Sequence, residues 1–125
     1  MGRKTSEEIN MNWYKKANTV TLWHISNEKF EEFDIHMTAQ GIIWFAKDKS
    51  DLLNNLHGAS INKNEPVYLY QCKVNMNKTA GWNEYDKYGI TELICMGYDS
   101  VDLDDDIAIL NPYNITIEKI ERVNL

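Results

Sequence analysis

A series of short runs rich in β-branched, aromatic and aliphatic residues limits what this chain can fold into. They are "VTLWHI" (20–25), "IIWFA" (42–46), "VYLYQCKV" (67–74), "YDSVDL" (98–103), "IAIL" (107–110) and "ITIEKI" (115–120). Each has strand length and is bounded by turn-forming residues. Two segments between them read as helices. "KDKSDLLNNLHGA" can be capped by Asp48 or Ser50, carries Leu52, Leu53 and Leu56 on one face, and reaches Gly58 as its stop. "ITELICMG" ends on Gly97. Gly41 reads as the turn before the second strand, and "NMNKTAGWNEYDKYG" as a long polar excursion. Many short strands with few short helices point to an α+β sheet domain rather than a doubly wound one.

With 125 residues the chain is expected to form one domain with a real core. Residues 1–12 read as a flexible tail and 13–125 as the domain. A net charge of −6 opposes phosphate backbones, so no direct nucleic-acid binding is expected. The same field favours a partner protein with a basic surface. No apolar run approaches the length of a membrane span or of a signal-peptide core, so a soluble, cytoplasmic chain is expected. Cys72 and Cys95 have no metal-ligand spacing and read as free thiols. His36 and His57 flank no zinc set, and "DLDDD" lacks the interior Gly and closing Glu of a calcium loop, so no metal is assigned. There is no glycine-rich phosphate loop and no nucleophile elbow.

Taken singly, the motifs are ordinary. A histidine in an apolar strand is more often structural than functional, "IIWFA" alone is core, and an acidic run is usually a solvated turn. Their order is more informative: "LWHIS", then Phe30/Phe33/Asp34, then "GIIWFAKDKS", then the long strand, then Gly97-Tyr98-Asp99-Ser100-Val101, then "DIAILNP" and a closing "ITIEKI". This succession, from about Thr21 to Ile120, resembles the ADP-ribosyltransferase fold in its His–Tyr–Glu class. That class includes diphtheria-toxin-like enzymes and poly-ADP-ribose polymerases. The order of motifs is similar to the compact version found in phage and mobile-element members.

The resemblance implies a split, two-sheet α+β domain that binds NAD in a cleft between the sheets. It implies that His24 hydrogen-bonds the adenosine ribose, and that the backbone of Ile25, where the family usually has Gly, holds the nicotinamide carboxamide. Ser26 matches the family serine. Trp44 stands at the motif tyrosine, beside Phe45, and an indole suits a cationic pyridinium. Ser50 is similar to the helix-start serine, whereas Leu53 occupies roughly the place of a second stacking tyrosine. Lys47 and Lys49 are candidates to offset the charge of NAD. Ungapped alignment puts Asp106 at the family's catalytic Glu, with Asp105 second. A carboxylate there would stabilise the positive charge that develops as the nicotinamide–ribose bond breaks. Tyr68 and Tyr70 are expected to divide between core and cleft wall.

The function implied is mono-ADP-ribosyl transfer to a side chain of a target protein, by a monomer. A minimal chain of this kind suits a phage effector acting in the host cytosol against a bacterial defence, in the manner of an anti-CRISPR. The alternative is a fold relative without turnover that blocks its partner as an acidic binding module. Plain NAD hydrolysis is a third reading.

Overall fold

The computed structural model describes residues 19–33, 42–56 and 59–125. Seven strands form one mixed sheet: β1 (Thr19–Ser26), β2 (Ile43–Ala46), β3 (Val67–Asn75), β4 (Thr79–Ala80), β5 (Ser100–Leu103), β6 (Asp106–Ile109) and β7 (Ile115–Val123). Their order is β4-β5-β6-β2-β1-β3-β7, and only the β4–β5 pair is parallel. With two helices, α1 (Lys49–Asn55) and α2 (Trp82–Cys95), this is an α+β domain, as the run lengths led one to expect.

Pairing across the sheet is uneven. β1 and β3 match along their whole length, from Thr19↔Asn75 to Ser26↔Tyr68, and β2 matches β6 from Ile43↔Ile109 to Ala46↔Asp106. The middle of the sheet is much weaker, because β1 and β2 are in register only at Trp23↔Ala46. The β4-β5-β6-β2 half and the β1-β3-β7 half meet at this pair within one sheet, where the sequence led one to expect two.

Alternation sorts the apolar residues onto two faces. Leu22, Ile43, Phe45, Tyr70, Cys72, Val74, Ile107 and Ile109 form the core of one face, against which Phe30 and Phe33 pack. A bulge in β7 opposite Gln71/Cys72 allows Ile117 and Ile120 to join the same face despite their odd spacing. On the other face Leu52 of α1 packs with Ile25, Ala46, Val67 and Leu69, and Leu93 of α2 with Ile42, Ala80, Val101 and Ala108. Tyr68 and Tyr70 do not divide as expected. Two residues apart on one strand, they share a face, and both belong to the first core.

The helices correct the reading of the middle of the chain. The segment read as an excursion contains β4 and the first half of α2. Gly89 sits inside that helix at φ 74 and kinks it, which is why only the half after Gly89 looked helical. Gly81 N–H is met at the start by the Glu84 carboxylate, 2.7 Å away. Gly97, at φ 90, follows the end of the helix as expected. For α1, Asp48 is the cap, accepting from Asp51 N–H at 2.8 Å. Leu56 closes that helix in the left-handed region, φ 58. The expected tail 1–12, Asp34, His36, Gly41, His57 and Gly58 lie outside the described residues.

Both cysteines are free; Cys72 is buried and Cys95 exposed. Burial, with a smaller effect from Glu118, pushes the Cys72 thiol up to about 12. The thiolate is the reactive species, so a thiol reagent at pH 8 should label Cys95 alone in the folded chain. Mass spectrometry should find the second label only after unfolding. No helix among the described residues is long and apolar enough to cross a membrane, and none of their His, Cys, Asp and Glu side chains cluster to hold a metal.

Candidate functional site

A hollow of about 810 Å³ borders the β1–β2 seam. It is lined by the end of β1 and its following turn, by Trp44, Phe45 and Ala46 of β2, by Leu52 and Leu56 of α1, by the loop 59–61, and by Asp106. Of the residues singled out in the sequence, His24, Ile25, Ser26, Trp44, Phe45 and Asp106 are brought together here. Two are not. Ser50 lies on the exposed side of the first turn of α1, whose inward face is Leu52 and Leu56. Asp105 lies at the exposed tip of the β5–β6 hairpin, before the strand begins, with its N–H on Leu103 O at 3.0 Å.

His24 spans the seam. Its Nδ1 lies 2.8 Å from the carbonyl oxygen of Trp44, so a side chain bridges β1 to β2 where backbone pairing has stopped. A carbonyl only accepts, so Nδ1 carries the proton and Nε2 of the neutral ring is an acceptor. The ring is enclosed by Phe33, Phe45, Tyr70 and Phe30, at centroid distances of 5.1, 5.6, 5.9 and 6.3 Å. Phe30 is held in turn by Tyr70, whose hydroxyl accepts from Phe30 N–H at 2.9 Å and donates to Glu28 O at 2.6 Å.

Burial lowers the His24 pKa below 6.5, and the bond to Trp44, which acts in the opposite direction, does not restore it. Below pH 6.5 the unfolded chain then binds a proton that the folded one refuses. Stability is thus complete above pH 6.5 and falls as pH drops from there towards the lowered folded value. Thermal unfolding from pH 8 to pH 5 should show that loss, and His24→Gln should flatten the part of it that begins near pH 6.5.

Asp106 opens β6 directly opposite Ala46. The hairpin before it is held firmly. Asp104 adopts φ 72, its N–H is bound by Asp102 Oδ1 at 2.9 Å, and its carboxylate accepts from Trp82 Nε1 at 3.1 Å. The three consecutive aspartates therefore differ in task. Asp104 shapes the turn, Asp105 is exposed at its tip, and Asp106 enters the sheet beside the hollow.

The cations expected to offset NAD are engaged elsewhere. Lys47 pairs with Asp102 at 2.9 Å and Lys49 with Glu121 at 3.4 Å, and neither lines the hollow. Its charged lining is instead Glu28 and Asp106. On the β1 side the wall is tied down by local bonds. Ser26 Oγ accepts from Glu28 N–H at 3.0 Å. Asn27 accepts from Asn62 N–H at 2.8 Å and donates to the carbonyls of Asn62 and Pro66 at 2.9 and 3.0 Å.

Trp23 and Glu28 also line the hollow and were not singled out by sequence reasoning. Trp23 had a signal in retrospect, as the residue of β1 whose face must oppose that of His24. No protein-family model matches the chain, and no curated protein matches it.

Proposed function

We propose that this chain is a small mono-ADP-ribosyltransferase of the compact His–Tyr–Glu type, working as a monomer on a partner protein with a basic surface. The observation that carries this reading is the convergence of His24, Trp44 and Asp106, remote in sequence, on one hollow at the weakest seam of the sheet. A cleft between two small half-sheets is the setting the resemblance implies for NAD.

In this reading NAD is the substrate. Its nicotinamide ring is cationic, and the exposed indole of Trp44 suits it. The Nε2 acceptor of His24 suits a ribose hydroxyl. Asp106 stabilises the ribose as the C1′–N1 bond breaks, with the bonding pair leaving on nicotinamide. A nucleophilic atom of the target then bonds C1′ and releases its proton. Glu28 and Asp106 favour the end of NAD where positive charge resides and grows. An acidic chain meets a basic target faster than a neutral one, which fits an effector that disables a nucleic-acid-binding defence complex in a host cell.

One observation favours the second reading, a binding module without turnover. Lys47 and Lys49, the cations nearest the second motif, are already paired with carboxylates, so they add little for the pyrophosphate. Incubation with labelled NAD and bacterial lysate separates the readings. A labelled protein band supports transfer. Free ADP-ribose without a band supports hydrolysis. Partner capture that is independent of NAD, with neither product, supports the module and overturns the enzyme.

A further inference from the structure

We propose that Trp23 is a ligand-contacting residue of the hollow, supplying from its indole edge a hydrogen-bond donor for the nicotinamide carboxamide. The inference rests on the reading above. The sequence places Leu53, not an aromatic, where a second stacking side chain was expected, and α1 offers the hollow only Leu52 and Leu56. The register supplies another candidate. Trp23 lies opposite Ala46, and Ala46 lies opposite Asp106, so the three form a row across β1, β2 and β6. Cross-strand partners share a face. The indole and the carboxylate are thus on the same side of the sheet, with only a methyl group in the row between them. Trp44, two residues before Ala46, shares that side too. All four line the hollow.

The polar atom of Trp23 gives an independent argument. Its Nε1–H is buried and has no hydrogen-bond partner. By contrast, Trp82 satisfies its indole with Asp104 at 3.1 Å. A buried donor without an acceptor is costly, and native structures rarely keep one without a reason. A carboxamide oxygen entering the hollow would satisfy it, with a small movement of the ring to admit the oxygen. The edge of the indole would then meet the carboxamide, while Trp44 offers its face to the heterocycle. Two indoles beside a carboxylate select for a planar, electron-poor or cationic ring carrying an acceptor, which is the chemistry of nicotinamide.

The test uses the full chain with two probes, NAD and nicotinamide alone, titrated by calorimetry. Trp23→Phe keeps an aromatic face and loses the donor, and should weaken nicotinamide binding about fivefold. Trp23→Leu loses the donor and the aromatic packing surface and should weaken it about twentyfold. Trp82→Phe, outside the hollow, should bind as the wild type does. In the wild-type chain, the indole N–H resonance of Trp23 in a ¹⁵N spectrum should move downfield as nicotinamide saturates the site. If both Trp23 variants bind within about twofold of wild type, or if that resonance does not move, Trp23 is only core and this inference is overturned while the NAD reading stands. If the wild-type chain binds neither probe, both are overturned together.

Discussion

Under the proposed transferase reading, Asp106→Ala should lower NAD cleavage and transfer by at least about a hundredfold, the usual loss when a group facing the charge of a transition state is removed. Asp105→Ala should stay within about twofold, because an exposed side chain at a hairpin tip faces solvent in every step. The contrast is sharper than either value. Neighbours in sequence, these two carboxylates differ only in that one belongs to a strand bordering the hollow and the other to the turn before it. Asp106→Glu restores the longer carboxylate of the resembled family and should keep more activity than Asp106→Ala. Release of nicotinamide from NAD, measured with the melting temperature of each variant, checks all three. Loss of activity in Asp105→Ala with retention in Asp106→Ala would reverse the assignment and move the chemistry to the hairpin tip.

The strands were legible because their residues alternate against a buried face, and every run read as a strand is one. β4 was not legible, since a two-residue strand leaves no period to detect. The first half of α2 was hidden by polar residues and by Gly89, whose kink interrupts the helical pattern. At the site, the meeting of His24, Trp44 and Asp106 could be anticipated from motif order. Their orientation could not. His24 faces the aromatic core while Trp44 and Asp106 lie on the other side of the sheet, and only the seam beyond Trp23↔Ala46 lets all of them border one space. That seam depends on where two strands stop pairing, which no local pattern encodes. Electrostatics was equally hidden. Lys47 and Lys49 look available in the chain, but Asp102 and Glu121 reach them from strands far away in sequence.

Asp99→Ala should cost about 3 kcal/mol of folding stability, the loss expected when several donors to one carboxylate are orphaned together. Oδ2 accepts from Asn77 N–H at 3.0 Å and Asn114 Nδ2 at 3.2 Å, and Oδ1 from Lys78 N–H at 3.2 Å and Ser100 Oγ at 2.9 Å. The backbone of Asp99 adds to the knot, donating to Lys78 O at 3.0 Å and accepting from Leu110 N–H at 2.9 Å. One side chain therefore joins the approach to β4, the start of β5 and the turn before β7. Ser100 beside it is fully buried and shares its hydroxyl with Thr79, 2.8 Å away. Asp99→Asn should lose less, since it keeps one acceptor but turns an amide toward two donors. Set against a typical total of about 5–15 kcal/mol, the alanine variant should unfold at visibly lower urea concentration and melt roughly 10 °C earlier. The proposed NAD chemistry below that temperature should survive, because Asp106 is held opposite Ala46 by β2 rather than by the knot. Such a split, stability lost and activity kept, would give the Gly-Tyr-Asp-Ser-Val motif a structural meaning: it secures the outer edge of the half-sheet whose β6 carries the carboxylate proposed to react. Loss of activity without loss of stability would instead place Asp99 within reach of the chemistry.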